Sequence, residues 1–310
     1  MLISFLSVGQ QVVILFILIA VGFFASKKNV FTKETIANLA TFILYVVTPC
    51  VIIESFNRPF DSSMLSSLLI AFGCAAFVHL FTIILVSILI KDPEQARKRV
   101  LRFGVVFSNC GYMALPLQSA LLGSDGVFFG AAFIAVFNLF VWTYGIKLMD
   151  ENTKGPILKK MFLNPGVIGV GIGLLLFLTP LELPHLIFKP VQYLAALNTP
   201  LPMVVVGYYL SGLTSLAFFK DVKLLWSLVL RLVVVPLLCL GALYLIGIRG
   251  ILLTAMIIAA ASPTGVNTVM FAVKFNKDPE LGVTMVSVST LFSILTMPLI
   301  VAFTMFLGST

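Results

Sequence analysis

Long apolar runs separated by short polar stretches dominate the pattern of this 310-residue chain. The runs are about 20 residues long, the length that an α-helix needs to cross a bilayer. No interval between them is long or polar enough to form a separate soluble domain. The pattern predicts an all-α polytopic membrane protein of ten transmembrane helices, spans 1 to 10, near residues 6–25, 35–56, 64–90, 99–122, 126–147, 163–180, 186–213, 222–247, 250–274 and 280–307.

Composition supports a membrane protein. The chain is 60% hydrophobic and 10% charged, with a mean hydropathy of +1.13, which no soluble domain of this length shows. A net charge of +8 often indicates nucleic acid or an acidic partner. Here the distribution of that charge around the spans explains it better, so the expected surroundings are the lipid bilayer and no nucleic-acid partner is expected.

Lys and Arg residues concentrate in alternate connections. Sixteen of the 20 follow spans 1, 3, 5, 7 and 9, three lie in the other connections, and Arg231 lies within span 8. The positive-inside rule then places the odd connections in the cytoplasm and both termini outside, in a multi-pass protein of the plasma (inner) membrane. A miscounted span would scramble this alternation, so it supports the count of ten.

The two halves of the chain resemble each other. Thr48-Pro49 in span 2 has a counterpart in Thr199-Pro200 in span 7, 151 residues later. With five spans in each half, the second half must insert upside down, which is the inverted-repeat architecture of alternating-access carriers. The two five-helix repeats are predicted to comprise residues 1–150 and 151–310.

Spans 4 and 9 are interrupted at corresponding positions by residues that a lipid-exposed helix disfavours. Pro removes a backbone donor, and Ser, Asn and Thr add polar groups that lipid does not satisfy. Paired interruptions are a sequence signal of a transporter's binding site, so we expect helices 4 and 9 to be broken and to cross. A Pro-kinked helix packed in a bundle core is the alternative. The interruptions consist of Ser108, Asn109, Gly111, Pro116 and Gln118 in span 4, and Ser262, Pro263, Thr264, Gly265 and Asn267 in span 9.

The place where the broken helices 4 and 9 cross would suit an anion, because half-helix N-termini carry partial positive charge and free N–H groups. The expected side-chain donors are Ser108, Asn109, Ser262, Thr264 and Asn267. Pro116 and Pro263 are expected to hold the breaks open, and Gly111 and Gly265 to let the two backbones approach each other.

Other polar residues within the spans have two interpretations each. His79 is either a hydrogen-bonded core residue or a proton carrier, and Arg231 either extends toward the cytoplasmic edge or attracts an anion. Asn138 needs either a neighbouring helix or the substrate as its partner. The two Thr-Pro pairs either kink their helices or shape the substrate path. All twelve carboxylates lie in connections or at span ends, so no membrane-embedded acidic proton relay is visible.

Enzymatic chemistry is not expected. The chain has no HExxH, no GxSxG and no pair of membrane-embedded Asp residues. The four cysteines lack metal-ligand spacing, so neither a metal site nor a cofactor is predicted. A channel is the nearest alternative to a carrier, since broken helices serve channels too. A receptor or structural role ranks third, because no sensory or effector part is present.

Several motifs resemble the auxin efflux carrier family, which includes plant PIN exporters and bacterial malonate/malate-type permeases. The stretch from Asn109 to Pro116 is similar to the family's Asn-x6-Pro crossover. Pro263-Thr-Gly265 resembles the second crossover, Asn164-Pro165 the opening of the second half, and Asn138-x3-Trp142 the amide-x3-Trp pattern of span 5. The resemblance covers nearly the whole chain.

This resemblance implies a fold similar to that of bile-acid sodium symporters. Spans 1, 2, 6 and 7 would form a scaffold that is also a candidate homodimer interface, and spans 3–5 and 8–10 a moving transport domain. Asn109, Pro116, Pro263 and Asn138 would line the substrate site. The chain departs from the plant exporters in its short central connection, which puts auxin itself in doubt.

The sequence thus predicts a secondary transporter for a small organic anion, such as malonate, malate or an auxin-like carboxylate. An uncoupled facilitator or channel on the same fold is the alternative. Na⁺ and H⁺ are the candidate coupling ions, and the missing embedded carboxylate argues against tight proton coupling.

Overall fold

The computed structural model describes residues 2–150, 165–179, 183–212 and 217–308. Within these ranges the chain is helical and contains no β-strand beyond one isolated bridge. The α-helices are α1 (Leu2–Lys27), α2 (Lys33–Phe42), α3 (Thr48–Phe56), α4 (Ser62–Leu89), α5 (Gln95–Val106), α6 (Leu115–Phe140), α7 (Ile146–Met149), α8 (Pro165–Leu178), α9 (His185–Ala196), α10 (Pro200–Ser211), α11 (Val222–Val229), α12 (Val235–Leu245), α13 (Gly250–Ala261), α14 (Asn267–Lys274) and α15 (Pro279–Gly308).

Seven helical stretches of the described residues are long and apolar enough to cross a membrane, so the chain is an all-helical membrane protein. The count of ten spans stays a prediction. Span 6 extends at both ends and span 7 at its last residue beyond the described part of the chain. The seven stretches are Gly9–Lys27, Lys33–Phe56, Ser62–Leu89, Cys110–Met149, His185–Ser211, Val222–Leu245 and Pro279–Gly308, with shorter apolar helices at Pro165–Leu178 and Gly250–Ala261.

One of these stretches reverses direction at a glycine. Cys110–Met149 is 40 residues long, about 60 Å at the helical rise and twice the thickness of a bilayer core. Gly123 lies inside it with φ 64° and ψ −152°, a conformation that side chains with a Cβ avoid. The glycine therefore separates two helical segments, as the predicted boundary between spans 4 and 5 requires.

Three prolines follow wide, π-helical turns. Three π-helical turns each end just before a residue that is followed by proline. Because proline donates no hydrogen bond and its ring presses on the preceding turn, the local backbone relaxes to the wider form. The turns are Ile43–Val47 before Thr48-Pro49, Cys110–Ala114 before Leu115-Pro116, and Leu230–Val234 before Val235-Pro236.

Contacts between connections define the two ends of the bundle. At the end rich in Lys and Arg, here called the basic end, the Ser26 and Ser211 hydroxyls are 2.7 Å apart and Arg97 pairs with Asp221. At the opposite end, Arg58 pairs with Asp125. The connections thus meet in two groups, as they do when successive helices cross in alternate directions.

Glycine allows close helix packing between α1 and α10. A Cβ at Gly22 would lie 2.3 Å from the Val204 carbonyl oxygen, and one at Gly207 would lie 2.1 Å from the Ile19 carbonyl oxygen. Since lipid tails are as apolar as the helices, this close backbone contact is what holds such helices together.

Candidate functional site

Two breaks in the helices meet at the centre of the molecule. The first lies between α5 and the π-turn that starts at Cys110, and the second between α13 and α14. Ser108 and Thr264 form an antiparallel bridge there. The Asn109 N–H donates to the Pro263 carbonyl at 2.7 Å, and the Gly265 N–H donates to the Phe107 carbonyl at 2.9 Å. The interrupted segments, here called the crossover, therefore satisfy each other's backbone groups inside the protein.

The residues of the second break explain its shape. Ser262 precedes a proline and adopts φ −62° and ψ 147°, the extended conformation that this position favours. Pro263 cannot donate a hydrogen bond, so the α13 ladder ends there. A Cβ at Gly265 would lie 2.9 Å from the Ser108 carbonyl oxygen, so the two segments could not approach as closely with a larger residue.

Two predicted roles in the first break do not match the structure. Nothing lies within 4 Å of a Cβ added at Gly111, so close packing does not require glycine at this position. Pro116 lies in the first turn of α6, beyond the π-turn, and therefore does not hold open the break at residues 107–109. The proline instead follows the π-turn Cys110–Ala114, and it is this turn that it widens.

Two of the expected side-chain donors are occupied by the protein. The Ser262 hydroxyl donates to the Ile258 carbonyl of its own helix at 2.9 Å. The Thr264 hydroxyl donates to the Gly104 carbonyl at 3.1 Å, and the Thr264 N–H donates to the Ser289 hydroxyl at 3.0 Å. The two Thr264 groups thus fasten the crossover to α5 and α15, a role that the prediction of Thr264 as a ligand donor did not include.

Asn109 differs from these neighbours. The residue is 4% exposed, and its side-chain amide nitrogen has no hydrogen-bond partner among the described residues. A buried amide without a partner is costly, so its presence calls for a ligand or water. Ser108 is also buried, while Asn267 is half-buried at the first residue of α14. Asn109 is therefore the strongest ligand-binding candidate of the crossover.

Arg231 does not extend to the membrane edge. It is 2% exposed, and its guanidinium donates to the Val105 carbonyl at 2.8 Å and to the Ala260 carbonyl. These two carbonyls lie at the C-terminal ends of α5 and α13, where helices carry partial negative charge. One guanidinium thus joins the two half-helices just before their breaks.

His79 and Asn138 both bond to their own helices. The His79 Nδ1 lies 2.7 Å from the Ala75 carbonyl, and aromatic rings including Phe133 and Phe140 surround the imidazole. The Asn138 amide nitrogen donates to the Ile134 carbonyl at 2.9 Å. The structure thus supplies each with a partner within the protein.

A pocket of about 340 Å³ opens between α3, α6 and the junction of α9 with α10. A second cavity of about 110 Å³ shares Ser119 and Thr199 with it and is also lined by Pro116 and Gln11. The cavities therefore follow the boundary between the predicted scaffold and transport domain, beside one of the two Thr-Pro pairs. Thr48, of the other pair, is buried and does not line these cavities.

Sequence reasoning missed the polar lining of the larger pocket. Glu54 lies in the last turn of α3 and faces the pocket with Gln192 and Asn198, whose buried side-chain oxygen has no hydrogen-bond partner among the described residues. The sequence placed Glu54 at a span end, as the structure does, but not beside a cavity. That position depends on how α9 packs against α3, which local sequence does not reveal.

An ion-pair cluster at the basic end connects α5 with α11. The Asp92 carboxylate lies 3.1 Å from the Lys223 Nζ and 3.4 Å from the Arg97 Nε. Burial raises the pKa of Asp92, but hydrogen bonds from the Glu94 N–H and Lys223, together with the charges of Lys223 and Arg97, outweigh it. The net pKa lies below the usual value of 3.8.

Among the described residues, no group of three or more His, Cys, Asp and Glu side chains could hold a metal ion.

Comparison with known proteins matches this chain to a family of membrane transport proteins and to individual transporters. The family model described as membrane transport protein matches residues 7–157 and 152–301. An uncharacterized transporter of Methanocaldococcus jannaschii is 24% identical over 305 residues, covering 93% of this chain and 96% of the relative. One from Methanothermobacter thermautotrophicus is 21% identical over 298 residues, covering 95% and 98%. Auxin efflux carrier component 1 of Arabidopsis thaliana is 28% identical over 127 residues, covering 40% of this chain and 20% of that protein.

Proposed function

Since the chain belongs to the membrane transport protein family, as its resemblance to auxin efflux carriers indicated, we propose that it carries a small organic anion across the plasma membrane by alternating access. Membership of this family supports transport across a membrane. The choice of a small organic anion and of alternating access is our proposal.

The observation that carries the proposal is the crossover with its one unpartnered amide. Backbone hydrogen bonds hold the two breaks together, and the buried side-chain amide nitrogen of Asn109 has no partner among the described residues. An amide N–H is a donor, and a carboxylate oxygen is a strong acceptor for it. A carboxylate at the N-terminal end of the helix that follows the break would also benefit from that helix's dipole.

The proposed architecture is an inverted repeat of two five-helix units, with spans 1, 2, 6 and 7 as scaffold and the remaining spans as the moving domain. The grouping of the connections at two ends supports it, since the Arg58–Asp125 pair joins connections that ten crossings place together. Close packing of α1 on α10 supports a scaffold built from spans 1 and 7. On this arrangement both termini lie outside the cell, and the scaffold is the candidate dimer surface.

The pocket beside Glu54 suggests how transport is coupled. An anion entering a pocket that contains a carboxylate is repelled unless that carboxylate is protonated or accompanied by a cation. Glu54 and the buried oxygen of Asn198 supply acceptors, not donors, to this pocket. H⁺ and Na⁺ therefore remain the two candidate coupling ions.

The experiment that tests the function is uptake into proteoliposomes. The full chain would be assayed with labelled malonate, malate and indole-acetate, with and without Na⁺ and pH gradients. We expect saturable uptake of one anion that responds to a gradient. Saturable uptake indifferent to both gradients would indicate the alternative, an uncoupled facilitator, and uptake that never saturates would indicate a channel. No uptake of any carboxylate would contradict the proposed substrate class.

The site assignment has its own variant, Asn109→Ala. Losing a hydrogen bond to a charged ligand is worth about 1.5–3 kcal/mol, so uptake should fall about 10- to 100-fold. The folded yield should remain, because the side-chain amide nitrogen has no partner to lose among the residues that the structure describes. Asn38→Ala, the same change on the exposed face of α2, is the matched control and should transport normally. Normal uptake by Asn109→Ala would contradict the site.

A further inference from the structure

The two cavities beside α6 follow one face of the helix that leaves the first break. Pro116 and Ser119 line the smaller cavity, and Ser119 and Gly123 line the larger one. These positions are three and four residues apart, so they fall on the same side of a helix. Tyr112, four residues before Pro116, continues this face toward Asn109. The helix thus carries a continuous surface from the cavities to the crossover.

The larger cavity lies at the end of the bundle opposite the basic end. Ser124 is part of its lining, and the next residue, Asp125, pairs with Arg58 at that end. The smaller cavity shares Ser119 with it and reaches Pro116, which is about two turns of α6 deeper than Ser124. A solute that enters at this end would therefore meet the larger cavity first and the wall at Pro116 second.

Tyr112 lies along the helix between the smaller cavity and Asn109. It is half-buried in the π-turn Cys110–Ala114, three residues after Asn109 and four before Pro116. Its hydroxyl donates to the Ala40 carbonyl of α2 at 3.3 Å, and α10 packs against the same π-turn. The ring is therefore directed at the predicted scaffold, across the boundary that the two cavities follow.

The hydrogen bond that positions the Tyr112 ring is weak. An O–H···O hydrogen bond usually measures roughly 2.5–3.0 Å, and this one is longer. Its acceptor, the Ala40 carbonyl, also accepts the Ile43 N–H, so the loss of the hydroxyl leaves that carbonyl with a partner. Rotation of the ring away from α2 would therefore leave no buried acceptor unsatisfied. A side chain that closes a gap and can leave it at small cost is suited to act as a gate.

We propose that the small organic anion reaches Asn109 from these cavities, along the face that carries Ser119 and Pro116, and that the Tyr112 ring closes the inner end of this route. The inference rests on the proposed function, because it takes Asn109 as the ligand-binding residue. With the ring in place, Asn109 is separated from the end of the bundle opposite the basic end. Alternating access requires such a separation on one side of the binding site at a time.

The test measures how fast N109C reacts with methanethiosulfonate ethylsulfonate, a small anionic thiol reagent, in the detergent-purified full chain. Tandem mass spectrometry assigns the adduct to residue 109. In N109C/Y112A the ring is reduced to a methyl group, and the reaction should be about 10-fold faster, as expected when a barrier falls by about 1.4 kcal/mol. N109C/Y112F keeps the ring and should react at the rate of N109C. The matched control N109C/Y45A removes an exposed tyrosine of α2's following π-turn and should also react at that rate.

A further variant tests the route itself. Ser119 is exposed and lines both cavities, so N109C/Y112A/S119W places a bulky ring in the wall that they share. We expect the reaction to return to the rate of N109C. If Tyr112→Ala had only loosened the protein, the reaction would stay fast in this triple variant.

Two results would overturn the inference. Equal rates in N109C and N109C/Y112A would exclude Tyr112 as the gate, and a fast reaction in the triple variant would exclude the route past Ser119. Tyr112→Leu, which shortens the side chain but keeps it apolar, provides the same comparison if Tyr112→Ala does not fold. Because the labelling requires no transport, a failure of the proposed function is recognised separately, as absent uptake by a protein whose labelling still depends on Tyr112.

Discussion

The crossover and the α1–α10 contact are held together by opposite means. The crossover joins its two segments through polar groups, with backbone bonds between Asn109, Pro263, Gly265 and Phe107. Apart from the Ser26–Ser211 hydroxyl pair at its basic end, the α1–α10 contact has no room for such groups, because the backbones touch where Gly22 and Gly207 lack side chains. Irregular backbone within a membrane needs partners inside the protein, whereas intact helices need only a close fit. The first arrangement leaves polar groups for a ligand, and the second leaves none.

The largest expected effect is at the α1–α10 contact around Gly22 and Gly207, here called the glycine contact. In Gly207→Val, the new Cβ would lie 2.1 Å from a backbone oxygen that no side-chain rotation moves away. Overpacking of this kind costs more than about 3 kcal/mol, so we expect loss of monodisperse protein in fluorescence-detected size-exclusion chromatography.

Gly171→Val is the matched control, since nothing lies within 4 Å of a Cβ there. It should remain monodisperse. Equal behaviour of the two variants would mean that α1 and α10 are not fixed by glycine contact.

A smaller effect is expected in the crossover. Arg231→Met leaves the Val105 and Ala260 carbonyls buried without their donor, at a cost of about 1–3 kcal/mol each. The melting temperature should therefore fall by several degrees, and the Asn109 and Gly265 amides should exchange hydrogen faster.

Arg249→Met serves as the comparison, because the Arg249 guanidinium also donates to carbonyls but is exposed. Its melting temperature should match that of the parent within a degree or two. If Arg231→Met is no worse than Arg249→Met, the guanidinium does not join the two half-helices.

The smallest effect concerns pH at the Asp92 cluster, which joins the N-terminal end of α5 to α11. The folded pKa of Asp92 lies below its ordinary value of 3.8, so its contribution to stability is present above about pH 4 and is lost as the pH falls further. The melting temperature of Asp92→Asn should lie slightly below that of the parent at pH 6, and the two should converge toward pH 3.

Glu94→Gln, at an exposed neighbouring position, should follow the parent at every pH. The glycine contact contains no titratable group, so changes at α1 and α10 should show no such convergence. A difference between Asp92→Asn and the parent that persists unchanged at pH 3 would contradict the ion-pair interpretation.

Local chemistry made the breaks predictable, while the partners of their side chains were not. Pro263 and Gly265 mark the second break because proline ends a helix and glycine permits close approach. The role of Thr264 depends on Ser289 and Gly104, which are 25 and 160 residues away in sequence. Such partners follow from helix packing, which one sequence does not specify.

The same distinction applies to Arg231 and Glu54. A sequence pattern places each at a depth in the membrane but does not give the rotation of its helix about its axis. That rotation directs Arg231 toward the ends of α5 and α13 instead of the membrane edge. It also turns Glu54 toward the pocket that it shares with α9 and α10.

The fixed backbone of the crossover has a thermodynamic consequence for any small ligand. A molecule of a few heavy atoms gains at most about 1.5 kcal/mol per atom on binding, so it has little free energy with which to order a flexible site. The hydrogen bonds among residues 107–109 and 263–265 have ordered this segment before a ligand arrives. Selectivity among small ligands would then depend on shape and charge, because each would meet the same preorganised site.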